Sequence, residues 1–488
     1  MPFDSGNPSP KSIRNFLNPK FQEYLEKYNL RYKFWKDAPN YWLLFFYEKK
    51  TESTVSNQIL LVSKDGGVSF NRWRPTYNEK PLSVDKFFAA KSAVFGLSEV
   101  NQTFFYADKD LNIFFAQRYD ENESIILSNF DLAYVIKIVV KEFDPLNKNR
   151  DKRILYMEIS TKRMTKIIRL HISEMQGIMP KINKFYDYFY FHGNHYILAK
   201  KNPSMLCLYT LNQYNHLTQI VCNLSISDLE GDRCPVVFNP HLPGVIYANL
   251  KNWNDKTRSY ISLDNGKSFK AIEYKLKNIE CHDQCRIELD LKCSTASLQN
   301  QFPEPWIVKF RGKFHTKRSV SCHYFFSFDA GIKWIILNSN IKKMIIGNRG
   351  GLMFATQSTP GRIWYSYNEG WSWHFTYVYA HNIIFMEPLS YPDNLVITAI
   401  NYDMRTNIYS LFLFNFSNVL SSLALMIDKT CKFNDFERWY VPRFYGDCFR
   451  GQDISYLKKE QFVMCYDNRK EVIASIKPCP CSIEDFQW

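Results

Sequence analysis

Four stretches of one pattern, S-x-[DN]-x-G-x-x-[FW], punctuate this chain: "SKDGGVSF" from Ser63, "SLDNGKSF" from Ser262, "SFDAGIKW" from Ser327 and "SYNEGWSW" from Ser366. Each predicts a hairpin turn. The carboxyl or amide oxygen of Asp65, Asp264, Asp329 or Asn368 can accept backbone N–H groups across the turn. Gly67, Gly266, Gly331 and Gly370 supply the positive φ such a turn needs, and Phe70, Phe269, Trp334 or Trp373 anchors it on the sheet. The role is structural, not catalytic. Asp264 and Asp329 lie 65 residues apart, Asp329 and Asn368 39 apart. A four-stranded propeller blade takes roughly 40–50 residues, with insertions falling in loops.

The rest of the chain agrees with an all-β reading. Runs such as "YWLLFFYEKK", "AYVIKIVVKEF", "GVIYANL" and "LVITAINY" are short, rich in Ile, Val, Phe and Tyr, and bounded by Asn, Asp, Gly or Pro. Aromatics reach 17% of residues, which suits rings packed on pleated sheet. One stretch reads as helix, "NFLNPKFQEYLEKYNL" near the start. Degenerate copies of the repeat are expected at 104–115, 153–170 and 208–220. The expected organisation is an N-terminal extension over 1–30, a propeller of about seven or more blades over 31–428, and a small cysteine-rich module over 429–488.

Charge and cysteines point to the surroundings. Lys and Arg number 62 against 48 Asp and Glu, a net +14, but no nucleic-acid motif accompanies the charge and no nucleic-acid partner is expected. No apolar run is long enough to span a bilayer and no secretory signal opens the chain. The twelve cysteines avoid the first 206 residues, and five of them crowd into the last 58. That clustering is the pattern of an oxidised, stapled module. Sequons at Asn101, Asn122, Asn223 and Asn415 fit a lumenal or extracellular route as glycosylation sites.

The repeat is the Asp-box, found in sialidases and in the sortilin family of sorting receptors, and the C-terminus chooses between them. "CKFNDFERW" (431–439), "GDCFRGQ" (446–452), "CYDN" (465–468) and "CPCSIEDF" (479–486) resemble, in order and spacing, the landmarks of the sortilin-family ten-cysteine module. Upstream, 244–285 looks like the blade in which that family places a disulfide after an Asp-box, and 347–373 looks like its last blade. The resemblance implies disulfides Cys281–Cys285, Cys431–Cys465 and Cys448–Cys479. It leaves Cys481 without its downstream partner and Cys207, Cys222, Cys234, Cys293 and Cys322 unassigned. Because the family propeller has ten blades, an anchor and a sorting tail, the chain is expected to be incomplete at both ends.

What the resemblance implies about function is a non-enzymatic receptor ectodomain. It would bind peptides or propeptides in the propeller tunnel, on the lumenal side of Golgi and endosomal membranes, for vesicle-mediated transport. By position, Arg153 with Lys152 beside it matches the family's carboxylate-binding arginine, whose planar fork suits a peptide C-terminus. The alternatives are a sialidase-like glycosidase, which the absence of an F/Y-R-I-P stretch in residues 1–60 opposes, and a soluble scaffold or decoy propeller. His192 and His195 in "FHGNHY" read as loop residues and not metal ligands. No phosphate-loop, zincin or serine-hydrolase motif is present, and no cofactor is expected.

Overall fold

The computed structural model describes residues 28–480 except 35–39, 49–57, 66–67, 91–92, 109, 121–122, 128–134, 142–153, 161–164, 173–181, 183, 203–204, 212–215, 226–232, 253–254, 275–284, 317–318, 338–340, 358–360, 381, 389–394, 404, 407 and 417–429. The fold is an all-β propeller of Asp-box blades with a disulfide-stapled module after it. The chain divides into two compact units, 1–222 with 294–296, and 223–293 with 297–488.

The first unit is built of antiparallel meanders. Strands β1 (Tyr28–Phe34), β2 (Trp42–Glu48), β3 (Gln58–Ser63) and β4 (Asn71–Trp73) form one four-stranded sheet; the small hairpin β5 (Thr76–Tyr77) and β6 (Lys80–Pro81) follows. A second sheet holds β7 (Lys86–Ala90), β8 (Ala93–Ser98), β9 (Thr103–Ala107) and β10 (Ile113–Arg118). Their shared core is aliphatic and aromatic: Leu43, Phe45, Leu60, Val62, Val94 and Phe105. Gly96 is required there, since a Cβ would stand 2.1 Å from the Phe105 ring. Strand β1 corrects the expected opening helix at its end, because Tyr28, Asn29 and Leu30 pair in register with Glu48, Tyr47 and Phe46. The bulk of that segment lies outside the described residues.

Two further meanders share an eight-stranded sheet. One is β11 (Glu123–Leu127) to β14 (Thr165–Ile172), by way of β12 (Val135–Lys141) and β13 (Ile154–Ser160). The other is β15 (Lys184–Phe191), β16 (Asn194–Asn202), β17 (Met205–Leu211) and β18 (His216–Val221). They meet where β14 runs parallel to β18 over two residue pairs. The Cys207–Cys222 disulfide ties β17 to the end of β18.

The second unit repeats the pattern with β19 (Val236–Phe238) to β22 (Lys270–Ala271), β23 (Arg286–Leu289) to β26 (Ile335–Leu337), and β27 (Ile341–Gly347) to β30 (His374–Tyr377). Its cores hold continuous apolar runs: Val236, Val237 and Phe238 of β19 are all buried, as are Leu352, Met353, Phe354 and Ala355 in the second strand of the β27–β30 sheet. A three-stranded sheet, β31 (Ile383–Pro388), β32 (Val396–Asp403) and β33 (Ile408–Asn415), comes next. Residues 347–373, read as the last blade, are therefore followed by another sheet. Phe354, Ile363, Met386, Ile397 and Ala399 pack these two sheets together. The stapled module closes the described chain with β34 (Phe436–Tyr440), β35 (Gln452–Lys459) and β36 (Ile473–Pro478).

Candidate functional site

All four Asp-boxes fall at the same place, between the third and fourth strands of a meander. In the box at Ser262 the Ser262 hydroxyl donates to Asp264 Oδ1 at 2.8 Å and accepts the Gly266 N–H at 2.8 Å. Asp264 also accepts the Ser268 N–H at 2.9 Å and the Ser268 hydroxyl. The box at Ser327 repeats this, with Gly331 N–H on Ser327 at 2.7 Å and Lys333 N–H on Asp329 at 2.8 Å. Trp334 and Trp373 donate their indole N–H groups to the carbonyls of Gly331 and Gly370 at 2.9 and 3.0 Å. In these two boxes the aromatic is a hydrogen-bonded clip as well as an anchor. In the first box Asp65 accepts the Ser69 hydroxyl and N–H and the Ser63 hydroxyl, which hold its carboxyl well below the ordinary carboxylate range. Its Gly67 lies outside the described residues.

The turn takes two successive left-handed residues, and only the second is glycine. Asn265, Ala330 and Glu369 have φ of 64°, 56° and 55°, followed by Gly266, Gly331 and Gly370 at 90°, 91° and 80°. Gly331 has a second reason, since a Cβ there would meet the Tyr247 hydroxyl at 2.6 Å. The degenerate copy at 104–115 keeps one element, Asn112 N–H to Asp108 at 2.9 Å, at the same hairpin between β9 and β10.

In the second unit these turns carry the stapled module. Arg443 donates to the carbonyls of Pro243 and Leu263 at 2.7 and 3.0 Å, and stacks on Phe449 at 4.0 Å. Lys458 pairs with Glu369 of the fourth box at 3.0 Å, and Gln461 donates to the Asn368 carbonyl at 3.3 Å. Burial outweighs Lys458 and raises the Glu369 carboxyl above its ordinary range; it lowers the Lys459 ammonium. Trp306 lies against Trp439 and Tyr456.

The centre of this interface is a buried charged clasp. Arg349, with φ of 48°, is held in "GNRGG" between the left-handed Asn348 and Gly350. It donates through Nη1 to both Glu304 carboxylate oxygens at 3.1 Å and through Nη2 to the Arg469 carbonyl. Its Nε stands 3.9 Å from Asp467, which Arg469 pairs at 2.7 Å. Arg349, Glu304 and Asp467 are 9%, 4% and 2% exposed, so these charges are matched in a dry setting where each is costly alone. Asn348 completes the seam, donating to the Cys465 carbonyl at 2.9 Å and accepting the Asp467 N–H at 2.8 Å. Sequence reasoning missed Arg349, Glu304 and Arg443. The glycines framing "GNRGG" were the available signal, because they mark a backbone too tight for ordinary helix or strand.

The bridges Cys431–Cys465 and Cys448–Cys479 staple the module, and Cys234–Cys293 ties the start of the β19 sheet to the end of β23. Cys285 is disulfide-bonded, while Cys281 and Cys481 lie outside the described residues. Cys322 is the free cysteine among the described residues, exposed on β25 (Val320–Ser327). Lys152, Arg153 and Asn122 also lie outside the described residues. Asn101, Asn223 and Asn415 are exposed; Asn101 Oδ1 accepts the Ser83 N–H at 3.0 Å. His192 occupies a turn, but His195 is in strand β16, a correction to its loop reading: its Nδ1 meets the Tyr188 hydroxyl at 2.5 Å. The grouping of Cys431, Cys465 and Asp435 offers no metal site while both sulfurs are bridged.

Residues 394–487 match the family described as "Sortilin, neurotensin receptor 3, C-terminal". This stretch is thus similar to a sortilin C-terminal module. Among curated relatives, it is similar to "Vacuolar protein sorting/targeting protein 10" of Paracoccidioides brasiliensis (strain Pb03), 26% identical over 276 residues, covering 50% of this chain and 17% of the relative. The protein of the same name from Talaromyces marneffei (strain ATCC 18224 / CBS 334.59 / QM 7333) is 25% identical over 276 residues, with the same coverage. The chain thus spans about a sixth of the length of the curated relatives it matches. Among solved structures, Sqt1 from Chaetomium thermophilum aligns with a TM-score of 0.38 at 9% identity, over 80% of this chain and 96% of that one. The sortilin match contains both staples and the two strands β35 and β36 that carry the clasp's Asp467 and Arg469 between them.

Proposed function

We propose that this chain is the ligand-binding part of a sortilin-like sorting receptor, which captures peptides or propeptides in the lumen of the Golgi and endosomal system without chemically altering them. The observation that carries the reading is the sortilin module itself, docked by a buried ionic clasp on Asp-box blades. A stapled module whose charges are matched to the blade turns makes a rigid binding body. The vacuolar sorting names of the fungal relatives accord with it. No helix among the described residues is long and apolar enough to cross a membrane.

Within this reading Arg153, assisted by Lys152, binds the ligand's C-terminal carboxylate, and Asn101, Asn122, Asn223 and Asn415 carry glycans. The organisation is a 31–428 propeller followed by the 429–488 module. The test is calorimetric titration of the secreted chain with propeptide-like peptides bearing a free or an amidated C-terminus. The free acid binds, the amide binds at least tenfold more weakly, and Arg153→Ala abolishes the difference. Equal affinities for both peptides would end the carboxylate-capture reading. A fluorogenic sialoside turned over by the wild-type chain would replace it with the glycosidase.

A further inference from the structure

Strand β33 pairs with β32 along its whole length, from Ile408 opposite Asp403 to Asn415 opposite Val396. It ends the three-stranded sheet of the second unit, and among the described residues no strand lies on its other side. Its sequence, IYSLFLFN, contains no charged residue, no proline and no glycine. Phe412 and Phe414 pack on the core shared with the preceding blade, whereas Leu411 and Leu413, on the opposite face, are 66% and 59% exposed.

No other edge of the described sheets is built this way. The other edge strands of five residues or more, β1, β7, β10, β11, β15, β27, β31, β34 and β36, each carry a Lys, Arg, Asp, Glu or Pro. The remaining edges are strands of two to four residues. Shortness, charge and proline are the devices that keep an open row of N–H and C=O groups from templating another strand. Strand β33, at eight residues, has none of them.

We propose that β33 pairs antiparallel with β33 of a second copy of this chain, joining two three-stranded sheets into one of six strands. The composition of the strand selects this occupant. A two-fold axis closes an antiparallel pair of identical strands, and any charge in the strand would recur across the seam; here every residue is neutral, and none offers a salt bridge to a charged partner. An axis through Leu411 sets Leu411 against Leu411, Tyr409 against Leu413 and Ile408 against Phe414. It leaves the sequon residue Asn415 outside the pairing. Tyr409, Leu411 and Leu413 of both copies then form one apolar cluster on the exposed face of the seam, the kind of cross-strand contact that stabilises a sheet. The far edge of each sheet, β31, ends in Glu387 and Pro388, so the assembly stops at two. The pairing is independent of the receptor reading.

The test is sedimentation of the full chain over a range of concentrations, at low and at physiological salt. A species of twice 57.9 kDa is expected, and Leu411→Lys, which sets two ammonium groups against each other at an exposed position, should raise its dissociation constant at least tenfold. Each copy carries a net +14, so added salt should tighten the dimer by screening the repulsion. The register is read from Leu411→Cys and Leu413→Cys, each combined with Cys322→Ser to remove the exposed free thiol. Directly opposite Cβ atoms stand about 5 Å apart, whereas the two copies of position 413 are offset by roughly 13 Å along the strand. Under mild oxidation Leu411→Cys should therefore cross-link at least tenfold faster than Leu413→Cys. A wild-type chain that sediments as a monomer at every concentration overturns the proposal. So does a dimer that Leu411→Lys leaves intact, or one in which the two cysteines cross-link equally, because the contact then lies elsewhere.

Discussion

Replacing Arg349 should unfasten the stapled module before it unfolds the blades. The side chain is 8% exposed and its partner Glu304 5%, so removing the guanidinium leaves a carboxylate in a dry interface. Breaking one half of a buried pair costs about 3–5 kcal/mol. The lost Nη2 bond to the Arg469 carbonyl adds to this, whereas Asp467 keeps its 2.7 Å partner Arg469. The backbone supplies an internal control. At φ of 48° any side chain is strained by roughly 1–2 kcal/mol, so Arg349→Gly should be more stable than Arg349→Ala by about that amount. Glu304→Gln in the Arg349→Ala background should recover more than 1 kcal/mol, since it removes the stranded charge. Urea unfolding gives the energies, and hydrogen exchange of β34–β36 reports whether the module has come loose. A loss below about 1 kcal/mol for Arg349→Ala, with β34–β36 exchanging as in the wild type, would show that the clasp does not hold the module.

Three further outcomes follow from the same geometry. Asp264→Ala, which deletes the acceptor of two turn bonds and of the Ser262 hydroxyl, should cost about 2–3 kcal/mol, and Asp264→Asn under about 1, because Asn368 already serves in the fourth box; equal losses in thermal unfolding would contradict the acceptor role. Lys309 is fully buried among Asn300 and the Met344 carbonyl, which brings its ammonium down to about 8. The unfolded chain therefore holds more protons between about pH 8 and 10.5, and stability rises with pH across that window by about 3 kcal/mol; Lys309→Met should flatten the rise, and an unchanged pH profile would refute the assignment. Replacing Cys431 and Cys465 by serine opens a 34-residue loop and should cost about 3–4 kcal/mol, measured by the denaturant midpoint of the module signal, while a change under 1 kcal/mol would mean the staple is idle.

The blade and its hairpin turn were legible from local residues alone. Ser, Asp, Gly and an aromatic at fixed spacing make a turn from bonds spanning at most four residues, so Ser262, Asp264, Gly266 and Ser268 could be read as a hairpin without any distant partner. Short apolar runs likewise fixed the strands, because alternation along a strand is local. The motifs of 431–486 carried the resemblance to the sortilin C-terminal family for the same reason. Tertiary structure decided what those turns are used for. Arg349 meets Glu304 across 45 residues and the Arg469 carbonyl across 120, and no local pattern encodes a contact of that range. Even Asp467, inside a recognised motif, gave no hint that its charge faces a blade. The Tyr28–Leu30 segment shows the converse failure, where helix-compatible residues became strand because Glu48, Tyr47 and Phe46 offered a ladder. Burial of a charge, and pairing between remote strands, depend on which surfaces are brought together, and that is settled by packing and not by the order of residues along the chain.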